Sequence, residues 1–283
     1  MHEMIQLYRK PFQDPRQRPV SLFSFSVGTL SFRRVGRAIR KGELPEADTV
    51  KIEELINYFY YDYPQPQGDD LISVTTELSQ CPWNPSHRLL HIGLKGKVIY
   101  GDGLRDSQFV LARDVTIRVT FNPGKVQAYR LIGYGSRTPK VGGYGRSNVG
   151  ASEIRAGQRI TSLYEIIPSH SAPGNEQGSE TASVLISYRE PNSIMPQQVT
   201  HLVYDQTETG AATTDNFKIS AAVAQFGMIL KNPELKDESS LNQILQLAKD
   251  AVGEDKYGYR KQFIQMVEEY KKLKKDKKPT RNH

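Results

Sequence analysis

Apolar residues recur at helical spacing at both ends of the chain and at alternate positions between them. Thr29 is placed to cap a helix whose apolar positions Leu30, Val35, Ala38 and Ile39 fall at roughly helical spacing, with Gly42 ending it. A second helix is predicted after Asp48, where Ile52, Leu55, Ile56 and Phe59 stand at i, i+3, i+4 and i+7, and Pro64 and Pro66 stop it. Ahead of both, Pro11, Pro15 and Pro19 among Arg and Gln predict an extended arm, and Ser21–Val27 alternates as a short strand.

From Leu71 the period becomes two. Ile72–Leu78 and Arg88–Leu94 are predicted strands around a Cys81–Pro85 turn. Val115–Phe121 sets Val115, Ile117, Val119 and Phe121 against Thr116, Arg118 and Thr120, the cleanest alternation in the chain. Val126–Ile132, Ile160–Ile167, Ser183–Tyr188 and Gln198–Tyr204 follow, with Gly, Pro or Asn between them, and Gly133–Gly157 and Ser169–Glu180 are predicted loops. Short strands at this density predict an antiparallel sandwich. Helical spacing returns in Phe217–Leu230, which is apolar on nearly every side and so predicted buried. It continues through Leu241, Ile244, Leu245 and Ala248, and then through Tyr259, Phe263, Val267 and Tyr270. The expected class is α+β: an antiparallel β-sandwich with two N-terminal helices and a three-helix C-terminal segment.

Composition narrows the function classes. No window approaches ~18 uninterrupted apolar residues, so no transmembrane segment is expected. The net charge of +7 is local: Lys271–His283 holds six Lys, one Arg and one Asp. The other 270 residues are close to neutral, unlike a basic nucleic-acid-binding fold with charge spread over a face. Cys81 is the only cysteine, which excludes an intramolecular disulfide and a thiolate zinc finger.

Candidate chemistry is sparse. His87 and His91 are four apart, but an extended segment separates their rings by ~13 Å, too far to share a metal. Cys81, in a turn beside Trp83, reads as a packed structural thiol rather than a nucleophile paired with His87. The glycine-rich loop lacks a complete phosphate-binding motif and a following helix, although Arg137, Lys140, Tyr144 and Arg146 in it suit an anionic or aromatic partner. Tyr58, Tyr60, Tyr61 and Tyr63 form an aromatic run next to Asp62 rather than Lys or Arg, so core packing of the helix onto the sandwich is expected in place of base stacking. Lys271, Lys272, Lys274, Lys275, Lys277, Lys278 and Arg281 are the candidate basic anchor.

Several strings in the chain resemble a known family. Ser24-Phe25-Ser26-Val27-Gly28-Thr29, the run from Ile52-Glu53-Glu54-Leu55-Ile56-Asn57-Tyr58-Phe59 to Pro66, and Cys81-Pro82-Trp83-Asn84-Pro85 followed by His87–Leu94 resemble the N-terminal region of bacterial YfbK-type von Willebrand factor A (VWA) proteins. Ala112–Val126, Tyr129-Arg130-Leu131-Ile132-Gly133-Tyr134, Ser162–Pro168 and Phe217–Met228 resemble the C-terminal region of the same family. In that family a VWA domain lies between the two regions. Here only Val98–Gln108 separates Lys97 from Phe109, too short for a doubly wound domain, so no Rossmann-like VWA domain is expected. Asp-x-Ser-x-Ser, which supplies hard oxygen ligands to Mg²⁺, does not occur, and Asp205–Thr209 reads as a polar loop. Where the family carries Asp-x-Asp before its first helix, Ser26 and Gly28 stand, and Gly135–Gly150 has no carboxylate. The family's metal site is therefore not carried over.

The resulting organisation is an arm (1–20), an N-terminal family region (21–97), a linker where a VWA domain would be inserted (98–111), a C-terminal family region (112–270) and a basic tail (271–283). The expected function is a non-enzymatic protein-interaction or scaffold role, with no cofactor, no metal and a protein partner. The alternative is binding of nucleic acid or anionic lipid through the tail. The resemblance implies the bacterial cell envelope, whereas Met1–Lys10 lacks an apolar stretch of signal-peptide length and the chain reads as soluble.

Overall fold

A computed structural model describes residues 10–25, 28–99, 109–134, 152–169, 180–205, 212–232 and 238–276. These form two compact units that interleave along the chain. One takes its described residues from 28–61 and from 213 onward, the other from 10–25 and 62–212.

The helical unit contains α1 (Leu30–Arg40), a single 3₁₀ turn at Ala47–Thr49, α2 (Ile52–Ile56), α3 (Asp215–Lys231), α4 (Glu238–Asp250) and α5 (Tyr259–Asp276). α3 is its hub: of the fourteen positions from Phe217 to Leu230 all but Lys218 are buried, as an apolar surface on all sides requires. Thr214 caps it by accepting the Phe217 N–H at 3.1 Å. Gly227 lets α3 approach α2, because a Cβ there would stand 3.1 Å from Ile52 and 3.2 Å from Leu55. α2 is shorter than its apolar spacing predicts and ends at Ile56, so Phe59 packs from a turn instead, edge-on to Phe32 and Phe263.

The sheet unit contains β1 (Val20–Phe23), β2 (Ile72–Cys81), β3 (Asn84–Gly96), β4 (Val110–Phe121), β5 (Val126–Ile132), β6 (Ile154–Arg155), β7 (Arg159–Pro168), β8 (Ala182–Arg189) and β9 (Pro196–Val203). One sheet runs β2-β3-β7-β5. The other runs β1-β4-β8-β9, with β6 also on β4. Every pair is antiparallel. Leu90, Ile92, Leu94, Tyr164 and Ile166 from the first sheet share one core with Ile117, Val119, Phe121, Val184 and Ile186 from the second. The α+β class with a sandwich-like pair of antiparallel sheets is the observed architecture.

Several boundaries differ from the sequence reading, for physical reasons. β2 and β3 run on to Cys81 and Asn84, which pair, so the turn shrinks to Pro82 and Trp83. β4 starts at Val110, inside the expected linker, because its first residues pair with β6. β6 itself lies in what alternation alone leaves as loop, since two residues carry no periodicity. The expected tail is helical as far as Asp276: α5 continues through Lys271, Lys272, Lys274 and Lys275, where cations oppose the negative end of the helix. The calls on Ser26, Val27, the linker core and Gln206–Thr209 fall outside the described residues.

Candidate functional site

The side chains opposite the sandwich core on the first sheet are not the polar, solvated set that an open antiparallel sheet normally carries. His91, Lys95, Arg130, Thr161 and Glu165 all point to that face and all are buried. Register brings them together. Glu165 on β7 stands between Leu89 of β3 and Arg130 of β5, and Thr161 pairs with Gly93.

Glu165 is the centre of the first group. Its Oε2 accepts from Arg130 Nη2 at 2.7 Å and Nε at 3.0 Å, and its Oε1 accepts from His87 Nδ1 at 2.6 Å. Asn84 Nδ2 lies 3.0 Å from His87 Nε2. An amide nitrogen donates, so Nε2 is the acceptor and the ring proton sits on Nδ1. The amide is fixed in that sense because its oxygen accepts from the Ser86 backbone N–H at 3.2 Å. Burial alone would raise the Glu165 carboxyl, but the His87 hydrogen bond and the charge and donors of Arg130 outweigh it, holding it below the ordinary carboxylate value.

The arm closes this group on one side. Gln13 and Tyr129 exchange backbone hydrogen bonds at 2.7 and 3.0 Å, which adds a bridge to the edge of β5. Phe12 then lies 4.4 Å from the Arg130 guanidinium carbon and edge-on to His87.

Tyr63 organises the second group. Its hydroxyl is 2.7 Å from His91 Nε2 and 2.7 Å from Thr161 Oγ1, while its carbonyl accepts from Lys95 Nζ at 2.6 Å. The ring reaches this position because it lies directly over Gly93, where a Cβ would come within 2.3 Å of a ring carbon. Burial lowers the His91 pKa to about 3, so the imidazole is neutral at physiological pH.

Chemically, this face holds charge and position. Both His87 nitrogens and both Glu165 oxygens are committed to protein partners. Cys81, at the same turn as Asn84, is fully buried, and burial first, then the Glu165 charge, push its thiol well up from its ordinary value. It is a packed thiol, as the sequence suggests. His87 and His91 lie on one strand and each engages a different partner. Asp205 pairs with Arg88 at 3.2 Å. Among the described residues no cluster of metal-ligating side chains forms.

The tyrosine run divides. Tyr58 stacks on Phe32 at 4.0 Å and Tyr60 packs against Tyr257, both in the helical unit, while Tyr63 belongs to the sheet. Of the basic candidates, Lys271, Lys272, Lys274 and Lys275 lie on α5 rather than on a tail. Arg137, Lys140, Tyr144, Arg146, Lys277, Lys278 and Arg281 lie outside the described residues. The group that residue-by-residue reading missed is Arg130–Glu165–His87. Its signal is two opposite charges, each flanked by apolar neighbours inside a strand.

Two family models match the chain. One, described as "Uncharacterized protein YfbK, C-terminal", matches residues 107–273, more than half of the sequence. The chain belongs to the YfbK family. That match runs from the start of β4 to Leu273 within α5 and so takes in residues of both units. The second model, described as "von Willebrand factor", matches residues 2–91. Its described part holds α1, α2 and strands of antiparallel sheets. The uncharacterized protein YfbK of Escherichia coli (strain K12) is 31% identical over 206 residues, covering 64% of this chain and 35% of the relative. The chain therefore spans about a third of that YfbK protein's length. No helix among the described residues is long and apolar enough to cross a membrane.

Proposed function

We propose that the chain is a non-enzymatic interaction protein, a YfbK-type framework that works by binding another protein. The observation that carries this reading is the internal commitment of the His87–Glu165–Arg130 group. General acid–base work needs an imidazole or carboxylate within reach of a substrate proton. Here one His87 nitrogen donates to Glu165, the other accepts from Asn84, and the Glu165 carboxylate is shared with Arg130. The set ties the β2–β3 turn, β7, β5 and the arm into one rigid face. A sheet face fixed in this way suits binding, since little order is lost on association. Membership of a VWA-related family supports the same class of role.

The test is affinity capture with the full chain from a lysate of the source organism at low and high salt, followed by reconstitution with the purified captured protein. A stoichiometric complex that persists at high salt is expected. Turnover of a substrate by the pure chain, abolished by H87Q, would contradict the reading.

A further inference from the structure

Charged side chains of both signs gather along α4 and α5. α4 and α5 are flanked by a groove of about 550 Å³ lined by Asn242, Leu245, Gln246 and Lys249 from α4 and Glu268, Lys271, Lys272 and Lys275 from α5. The two helices run antiparallel beside each other, since Lys249 pairs with Glu268 at 2.9 Å and Lys275 with Glu238 at 2.8 Å, at opposite ends. The positions 268, 271, 272 and 275 recur at three and four, so one face of α5 presents them together.

Glu238 is the informative residue. Its Oε1 is approached by Lys275 at 2.8 Å and by Lys271 at 3.5 Å, a carboxylate held between two ammonium groups one helical turn apart. It is half-exposed, and Lys271 is also fixed by Asn242 Oδ1 at 2.7 Å. We propose that this groove binds an acidic segment of a protein partner, whose carboxylate replaces Glu238 between Lys271 and Lys275. The proposal rests on the interaction role above and adds to it one electrostatic contact, made alongside those that persist at high salt, with the chemistry of the partner segment that makes it.

The lining favours a peptide. Lys249, Lys271, Lys272 and Lys275 outnumber Glu268, so a carboxylate-bearing chain is electrostatically matched. Asn242 and Gln246 are carboxamides, the side chains that pair with peptide groups, and Leu245 supplies an apolar floor. Among the described residues the lining holds no aromatic side chain, the group on which unpaired bases stack. A groove of this size takes a few residues of extended chain, within the usual range for a ligand site.

The experiment is fluorescence anisotropy of a labelled glutamate-rich peptide and a labelled oligothymidylate against the full chain. The peptide is expected to bind in a salt-sensitive way and more tightly than the oligothymidylate. E238Q, which removes the internal competitor, is expected to tighten binding several-fold, and K271E/K275E to weaken it by about tenfold. K272E, which breaks no described ion pair, is expected to weaken it several-fold while leaving the melting temperature unchanged. Peptide binding insensitive to all three variants would overturn the proposal. Tighter binding of oligothymidylate with the same lysine dependence would overturn it in favour of nucleic acid. Stoichiometric capture of a protein partner equally by wild type and K271E/K275E would sink the groove while leaving the interaction role standing. Absence of any captured protein would sink that role itself.

Discussion

Arg130 reaches one oxygen of Glu165 with two nitrogens, at 2.7 and 3.0 Å, from the directly opposite position of the neighbouring strand. Both side chains are almost fully buried. A buried pair of this kind is weak evidence of net stabilisation, because desolvating two charges costs about as much as their attraction returns. Removing one partner is a different matter. Glu165→Leu leaves the guanidinium buried and uncompensated, and a loss of about 3–5 kcal/mol is expected in urea unfolding. Arg130→Met with Glu165→Leu should recover most of it, as a double-mutant cycle would read.

Acid unfolding should carry the same signature. The folded Glu165 carboxyl is held below its ordinary value, so its contribution is complete above the unfolded carboxylate pKa and disappears as pH falls through the folded one. In Glu165→Gln that acid-side loss is expected to shrink. Stability measured from pH 7 down to pH 3 for both proteins checks it.

His91 titrates in the same direction by another route. Its folded pKa is lowered to about 3 by burial, from an ordinary 6.5. Below 6.5 the unfolded chain binds a proton that the folded one does not. Stability should therefore fall by about 1.4 kcal/mol per pH unit between those limits. His91→Gln should remove one proton from that slope, and the His91 ring resonances of the wild type should not shift between pH 7 and pH 5.

Gly93 is required by the ring above it. A methyl group at residue 93 would come within 2.3 Å of Tyr63, forcing the ring away from His91 and Thr161. Gly93→Ala is expected to cost roughly 2–4 kcal/mol, from overpacking and the lost buried hydrogen bonds. In a Tyr63→Ala background the same change should cost far less, since the obstructing ring is gone. Thermal melts of the four proteins give the coupling.

Much of this fold was legible in the sequence because it rests on local pattern. Val115–Phe121 alternates, and β4 is there; Phe217–Leu230 is apolar all round, and α3 is buried on every side. What escaped depends on register or on neighbours. β6 exists only because β4 offers it two residues of ladder. The polar face of the first sheet could not be assembled from spacing: His87, Arg130 and Glu165 are separated by 43 and 35 residues and meet through strand pairing. Lys271 and Lys275 read as part of a basic tail, whereas Glu238, at the start of α4, pairs with both and draws them onto the helix pair.

The central claim, that this chain acts by binding a protein rather than by catalysis, is tested most directly by analytical ultracentrifugation of the full chain with its captured, purified partner at high salt. The account predicts a single complex of fixed stoichiometry, unaffected by nuclease. Sedimentation as two separate species, or a complex that dissolves on nuclease treatment, would contradict it.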